Sequence, residues 1–237
     1  MNPAQSGAPI PRHPRQLTLA ALAGALAFSV GGCSGNTGHI DLTEASVVER
    51  VVVHAPKGVI HIVGNDDTIG IVGTHGTSGF GARGPARVHL DADGVMHIEA
   101  PCAPVLPCAL DLSLAVAPST ELVVDIGSGE VNVEGLDKAD IQIDRGTITT
   151  AGSRQLVARV GQGSVMATPQ SDAQVQAVVA SGDVVLVVPP GGWRIDAAAA
   201  RLQVSGVAMD RRATGQLSVH APSGAVRIVG SDPLASR

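Results

Sequence analysis

Hydrophobic and polar positions alternate with a period of two over most of this chain. From about Leu122 onward, short Val/Ile/Leu/Ala runs are punctuated by glycine-centred turns. Gly129 in Gly-Ser-Gly-Glu-Val, Gly146 in Arg-Gly-Thr-Ile, Gly163 in Gln-Gly-Ser-Val, Gly182 in Ser-Gly-Asp-Val and Gly224 in Ser-Gly-Ala-Val each precede such a run. The steps between these glycines are 17, 17, 19 and 42 residues, the last read as two units of 21. A strand-turn-strand unit of this length cannot bury its apolar face alone, so neighbouring units must stack. The pattern predicts an all-β chain: a β-solenoid, a right-handed β-helix-like stack of short strands forming a single continuous repeat domain. Alternation also assigns faces, with Val131, Val133, Val165, Val184 and Leu186 pointing inward and Asn132 and Val185 outward.

Upstream, the stretch from Ser46 to Ala100 reads as a first β region. Its strand candidates are Val47 to His54, Val59 to Val63, Thr68 to Val72, Ala86 to Leu90 and Val95 to Glu99. The turns between them are Lys57-Gly58, Asn65-Asp66-Asp67 and Asp91-Ala92-Asp93-Gly94. No segment of helical length keeps apolar positions at helical spacing behind a cap, and Ile195 to Leu202, the nearest, continues into Val204 with strand alternation. One internal match joins the two ends of the pattern. Val53 to Asp66 aligns without gaps to Val219 to Asp232, nine of fourteen residues being identical, His-Ala-Pro and Ile-Val-Gly among them. This favours one repeat architecture over two unrelated domains.

The N-terminus carries a different signal. Arg12 and Arg15 precede an apolar run from Leu17 to Val30, followed by Val30-Gly31-Gly32-Cys33. A spanning helix needs about 20 apolar residues, whereas the apolar core of a signal peptide needs about 7–15. The run fits the second, and the small residues before Cys33 resemble a bacterial lipobox, whose cysteine is acylated and becomes the first mature residue. The chain is thus expected to divide into a lipoprotein signal peptide (1–32), a flexible tether (33–46) and a β-strand-repeat domain (47–237). The expected location is a bacterial cell membrane, lipid-anchored through Cys33 and facing the periplasm or the exterior.

Composition narrows the partners. Loss of Arg12 and Arg15 takes the cationic count from 16 to 14 against 21 acidic residues, leaving a net charge of about −7. Nucleic acid, which demands a basic surface, is excluded as an expected partner. Phe80 and Trp193 are the only aromatic residues after Phe28 leaves with the signal peptide, so stacking platforms for bases or sugars are nearly lacking. Cys102 and Cys108 remain, in Cys-Ala-Pro-Val-Leu-Pro-Cys. Export to an oxidising compartment predicts a disulfide between them, worth about 2 kcal/mol for so short a loop. The alternative, a redox or metal pair, lacks both Cys-x-x-Cys spacing and an adjacent histidine.

Candidate chemistry is sparse. His54, His61, His75, His89 and His97 crowd the first β region, and strand pairing can bring two or three to one face, within reach of zinc or copper. Alternation gives the simpler reading of solvent-facing positions, since Ile60 and Ile62 turn inward around His61; no metal or other cofactor is expected. Asp125, Glu130, Glu134, Asp140, Asp144 and Asp183 recur along the repeats. Polysaccharide cleavage needs two carboxylates at a set separation with sugar-positioning groups nearby, but turn and strand-edge duty accounts for these. Gly79-Phe80-Gly81-Ala82-Arg83-Gly84 matches G-x-G-x-x-G, yet Pro85 and a strand follow where a dinucleotide site needs a helix. Trp193, after Pro189-Pro190-Gly191-Gly192, is read as packing at a break between units rather than as a partner anchor.

Gly127 to Leu136 (Gly-Ser-Gly-Glu-Val-Asn-Val-Glu-Gly-Leu), Ser181-Gly182-Asp183-Val184 and the paired His-Ala-Pro segments carry a family likeness. From about Val47 to Gly230 the chain resembles the uncharacterised bacterial putative-adhesin β-strand-repeat family, itself similar to autotransporter adhesin head domains. The resemblance implies a β-strand-repeat fold and an adhesin-like or structural role, and it supplies no catalytic or binding residues. The function expected is therefore a membrane-anchored envelope lipoprotein acting as a non-enzymatic binding module toward an envelope macromolecule. The alternative is an envelope polysaccharide-modifying enzyme using the acidic face.

Overall fold

The computed structural model describes residues 36–42, 48–68, 70–103 and 105–231, so the signal-peptide and Cys33 expectations fall outside the described residues. Thirteen strands follow in chain order: β1 (Asn36–Asp41), β2 (Arg50–Gly64), β3 (Ile71–Ser78), β4 (Arg87–Leu90), β5 (Val95–Glu99), β6 (Ala109–Val116), β7 (Glu121–Glu134), β8 (Lys138–Ala151), β9 (Gln155–Thr168), β10 (Gln174–Val188), β11 (Gly192–Ser205), β12 (Ala208–Met209) and β13 (Gly215–Gly230). The described chain is all-β, with no helix. Its strands form one sheet, ordered β1-β3-β6-β2-β7-β8-β9-β10-β13-β11-β12, with β5 on β2 and β4 on β5. The sheet runs open from β1 to β12.

The long strands from β2 to β11 pair in parallel and in register: Arg50 opposite Glu121, Glu121 opposite Lys138, Lys138 opposite Gln155, Gln155 opposite Gln174 and Gln174 opposite Gln216. The 17-residue glycine step is therefore the strand register itself. Within each strand the buried positions change parity at the glycine. In β7 they are Leu122, Val124 and Ile126 before Gly129, then Val131 and Val133; in β10 they are Val175, Ala177 and Val179 before Gly182, then Val184, Leu186 and Val188. A straight strand would send the second set to the opposite side, so the backbone must bend at the glycine to deliver both halves into one core. All these side chains belong to a single buried cluster.

Only glycine fits these bends. Gly129, Gly146, Gly163 and Gly182 have φ of +142°, +149°, +143° and +135°, and a Cβ on each would lie within 2 Å of the carbonyl oxygen of the glycine one strand back. Gly224 completes the file against Gly182. This contact corrects the reading of 42 residues as two stacked units. β13 docks directly on β10, and β11 lies beyond it, pairing Arg194 with Gln216.

Three further expectations change. The Lys57-Gly58 turn is a bend inside the continuous strand β2, because its Gly58 joins the glycine file under Gly129. The strand expected over Thr68 to Val72 begins at Ile71 and runs to Ser78, its Gly73 and Gly76 having hidden the alternation. Asn36–Asp41, inside the stretch read as a flexible tether, forms β1, antiparallel to β3 with Gly38 opposite His75. A Cβ on Gly38 would sit 2.4 Å from the His75 ring, so glycine is what lets β1 close on that side chain.

Candidate functional site

Alternate residues of each half-strand reach solvent, giving two outward surfaces: one from positions before the glycine bends and one from positions after them. Across the first runs the in-register row Arg50, Glu121, Lys138, Gln155, Gln174, Gln216 and Arg194. Arg50 Nη2 donates to Glu121 Oε2 at 2.9 Å and Arg194 Nη2 to Gln216 Oε1 at 2.6 Å. Between them, Gln155, Gln174, Gln176, Gln216 and Ser218 line an open groove of about 400 Å³. The second surface carries a groove of about 380 Å³, lined by Asp183, Val185, Leu202, Gln203 and Arg227 among others. Its rows are Glu130, Thr147, Ser164, Asp183 and Asn132, Thr149, Met166, Val185, Arg227, Gln203, with the Thr147 and Ser164 hydroxyls 3.3 Å apart. Along the first row and the Glu130 row donors and acceptors thus repeat at the spacing of paired strands, about 4.8 Å, whereas Met166 and Val185 interrupt the remaining row. Such a lattice can hold an extended polymer or a flat protein surface by many weak polar contacts.

The acidic residues lie on three strands, β7, β8 and β10. Asp125 lies opposite His54 and Gln142, Asp140 opposite Val123 and Val157, Glu130 opposite Val59 and Thr147, Glu134 opposite Val63 and Ala151, and Asp183 opposite Ser164. No two of these five are register partners. Local duties account for four of the six. Asp125 Oδ2 stands 3.5 Å from His54 Nδ1, and Asp140 Oδ1 accepts from Arg159 Nη1 at 2.7 Å. Glu130 Oε1 accepts from Asn132 Nδ2 at 3.0 Å, and Asp183 Oδ1 from the Ala225 main-chain N–H at 2.8 Å. Asp144, at the bend of β8, is exposed.

The histidines divide between environments. His54, His61 and His89 are exposed. His89 and His97 are register partners on β4 and β5, and His97 Nε2 approaches Asp91 Oδ2 at 3.5 Å. Asp91 in turn accepts the Val95 and Asp93 main-chain N–H groups, and the Val95 bond above all holds its carboxyl below the ordinary range. No group of three or more His, Cys, Asp and Glu side chains among the described residues is arranged to hold a metal ion. His75 departs from the solvent-facing reading. It is buried, its Nδ1 has no hydrogen-bond partner among the described residues, and burial pushes its pKa down. The missed signal is the glycine opposite: with Gly38 and Gly73 bringing neighbouring strands close, a histidine on β3 is roofed by backbone.

The expected disulfide is present, joining Cys102 and Cys108 across 5.7 Å between Cα atoms. The G-x-G-x-x-G segment is a loop zipped against it. Gly81 N–H donates to the Pro107 carbonyl at 2.9 Å, Ala103 N–H to the Gly81 carbonyl at 2.8 Å and Arg83 N–H to the Pro101 carbonyl at 3.0 Å. Trp193 packs as anticipated, 2% exposed, its Nε1 donating to the Pro189 carbonyl at 3.1 Å and its ring against Gly215. The sequence reading missed that Phe80, Val105 and Leu106 stand out from these paired loops into solvent.

Neither a family model nor a curated protein matches this chain. Among solved structures it is similar to one described as a "putative cell adhesion protein" from Clostridium sporogenes. The TM-score is 0.50 at 13% identity, over 84% of this chain and 100% of the other. At that identity the likeness speaks for the fold.

Proposed function

We propose that this chain is an adhesin-like module of the bacterial envelope, anchored by acylation of Cys33 and binding a macromolecular partner without converting it. The parallel file of glycine-bent strands serves in this reading as a rigid solenoid that displays polar rows. The observation that carries the proposal is that four of the six outward carboxylates are engaged locally, Asp125 facing His54, Asp140 held by Arg159, Glu130 by Asn132 and Asp183 by the Ala225 main-chain N–H, while Glu134 at the end of β7 and Asp144 at the bend of β8 are not neighbours. Glycoside cleavage asks for two carboxyl groups about 5–9.5 Å apart flanking one bond. The fold likeness to a protein described as a cell adhesion protein adds support of the same kind.

Two measurements test it. Wild-type protein should sediment with membranes, and Cys33→Ala should be soluble or unprocessed, because nothing in the mature chain matches the ~0.8 kcal/mol per buried CH₂ that acyl chains supply. A processed Cys33→Ala variant that stays in the membrane overturns the anchor. Immobilised full-length protein should then retain purified envelope polysaccharide or an envelope protein unchanged. New reducing ends in retained polysaccharide would overturn the non-enzymatic reading in favour of the polysaccharide-modifying one.

A further inference from the structure

The paired loops at one end of the sheet form a second candidate surface, separate from the polar rows. Phe80 is 84% exposed, Val105 91% and Leu106 49%; among the described residues the other exposed large apolar side chains, such as Val59, Met166, Leu202 and Met209, lie on strands away from these loops. These three are not loose. The loop carrying Phe80 is fastened at its base by Thr77 Oγ1 donating to the Gly84 carbonyl, and its rim pairs Ala82 with Cys102. The loop carrying Val105 and Leu106 is closed by the Cys102–Cys108 disulfide. A folded tip is thus built to hold apolar side chains in water, which costs free energy unless something covers them.

Two observations identify the cover. The first is position: Asn36, where β1 begins, lies opposite Thr77, the residue before Ser78, and Ser78 lies opposite Ala109, the residue after Cys108. The start of β1 and both loops therefore share one end of the sheet. Only Ser34 and Gly35 separate Asn36 from Cys33, and three extended steps span about 10 Å. The second is charge. Residues 78–87 and 101–108 contain no carboxylate in a chain with 21, and they carry Arg83 and Arg87.

We infer that this tip is a membrane-contact surface, seated in the headgroup layer of an anionic phospholipid bilayer with Phe80, Val105 and Leu106 at the acyl boundary. The inference rests on the reading of Cys33 as the lipid anchor. It adds that the domain does not swing freely on a tether but stands with the disulfide-closed end against the bilayer. Apolar side chains of interfacial segments lie about 5–10 Å below the surface, and arginines beside them pair with phosphate.

The test uses the full-length protein, exported and processed, carrying Phe80→Trp, in phosphatidylglycerol-containing vesicles with brominated acyl chains. The position is exposed, so the substitution leaves the fold intact, and the native Trp193 is buried and serves as the background. Bromine quenches only at the depth it occupies, so emission from position 80 should fall about twofold, and that from Val105→Trp likewise, while the wild-type signal stays constant. Mass spectrometry of the Cys33 peptide is read in parallel. Acylated protein on vesicles whose position-80 tryptophan is unquenched by bromine and open to aqueous iodide overturns the tip and leaves the anchor standing. Exported protein with no acyl mass on Cys33 removes the anchor, and the inference falls with it.

Discussion

The glycine file shows how a single missing methyl group organises this molecule. Gly146 and Gly191 have nearly the same φ, +149° and +144°, but a Cβ on Gly146 would meet the Gly129 carbonyl oxygen at 1.9 Å whereas one on Gly191 would meet nothing within 4 Å. Gly191→Ala should therefore carry only the conformational strain, about 1–3 kcal/mol. Gly146→Ala adds a backbone collision that separates two strands, and it should exceed about 4 kcal/mol or prevent folding. Thermal melts of the two variants separate the terms. Equal losses would mean that the glycines are chosen for φ alone and that the strands are not in contact there. The inward set Val131, Val133, Val165, Val184 and Leu186 is fully buried, while Asn132 and Val185 are not. The parity of that region was legible because each residue's side follows from strand periodicity alone.

At the scale of elements, β1 is the addition that alternation did not foretell. Asn-Thr-Gly-His-Ile-Asp has little strand character, and it becomes a strand because β3 offers an unpaired edge and Gly38 admits the His75 ring. The inward neighbours Gly38 and Leu112 are apolar, and Asp41 and Asp111 take outward positions. A His held neutral in this way makes β1 docking pH-dependent. Burial lowers the folded-state pKa, so the unfolded chain binds more protons as pH falls below about 6.5. The contribution is complete above that pH and is lost as pH falls toward the folded-state value. Wild-type stability should fall between pH 7.5 and pH 5, and His75→Phe, keeping a ring against Gly38, should flatten that interval; chemical denaturation at the two pH values reads it. Asp91 is depressed as well, but its loss comes only at acid pH, below about 4, so the two windows do not overlap. An unchanged slope in His75→Phe would show that β1 docking is indifferent to the imidazole.

For the whole molecule, order in sequence and order in space diverge. The last strand of the chain, β13, is interior, held between β10 and β11, while the earlier β11 stands near the open end with Ile195, Ala197, Ala199 and Val204 half covered. Val219→Asp should unfold the protein or cost several kcal/mol, because it places an unpaired carboxylate at a position 2% exposed. Leu202→Asp, at a position 50% exposed on β11, should stay within about 0.5 kcal/mol. Circular dichroism melts settle the order. The reverse result would put β13 at the edge, as reading the chain from end to end suggests.

Period-two alternation was enough to determine an all-β chain and the inward side of Val131, Val133, Val165, Val184 and Leu186, and the cysteine spacing pointed to the Cys102–Cys108 bridge, because each is a property of neighbours a few residues apart; the glycines read as turns between strands, and only the fold made them bends within continuous ones. Tertiary structure decided which strands lie side by side. Swapping β13 and β11 leaves every local pattern intact, and the choice rests on contacts between residues 42 apart, Gly182 with Gly224 and Asp183 with Ala225, that no local periodicity records. It likewise decided the burial of His75 and the exposure of Phe80, Val105 and Leu106. Alternation tells which side of a strand a residue takes, but only the packed fold determines whether that side meets backbone, core or solvent.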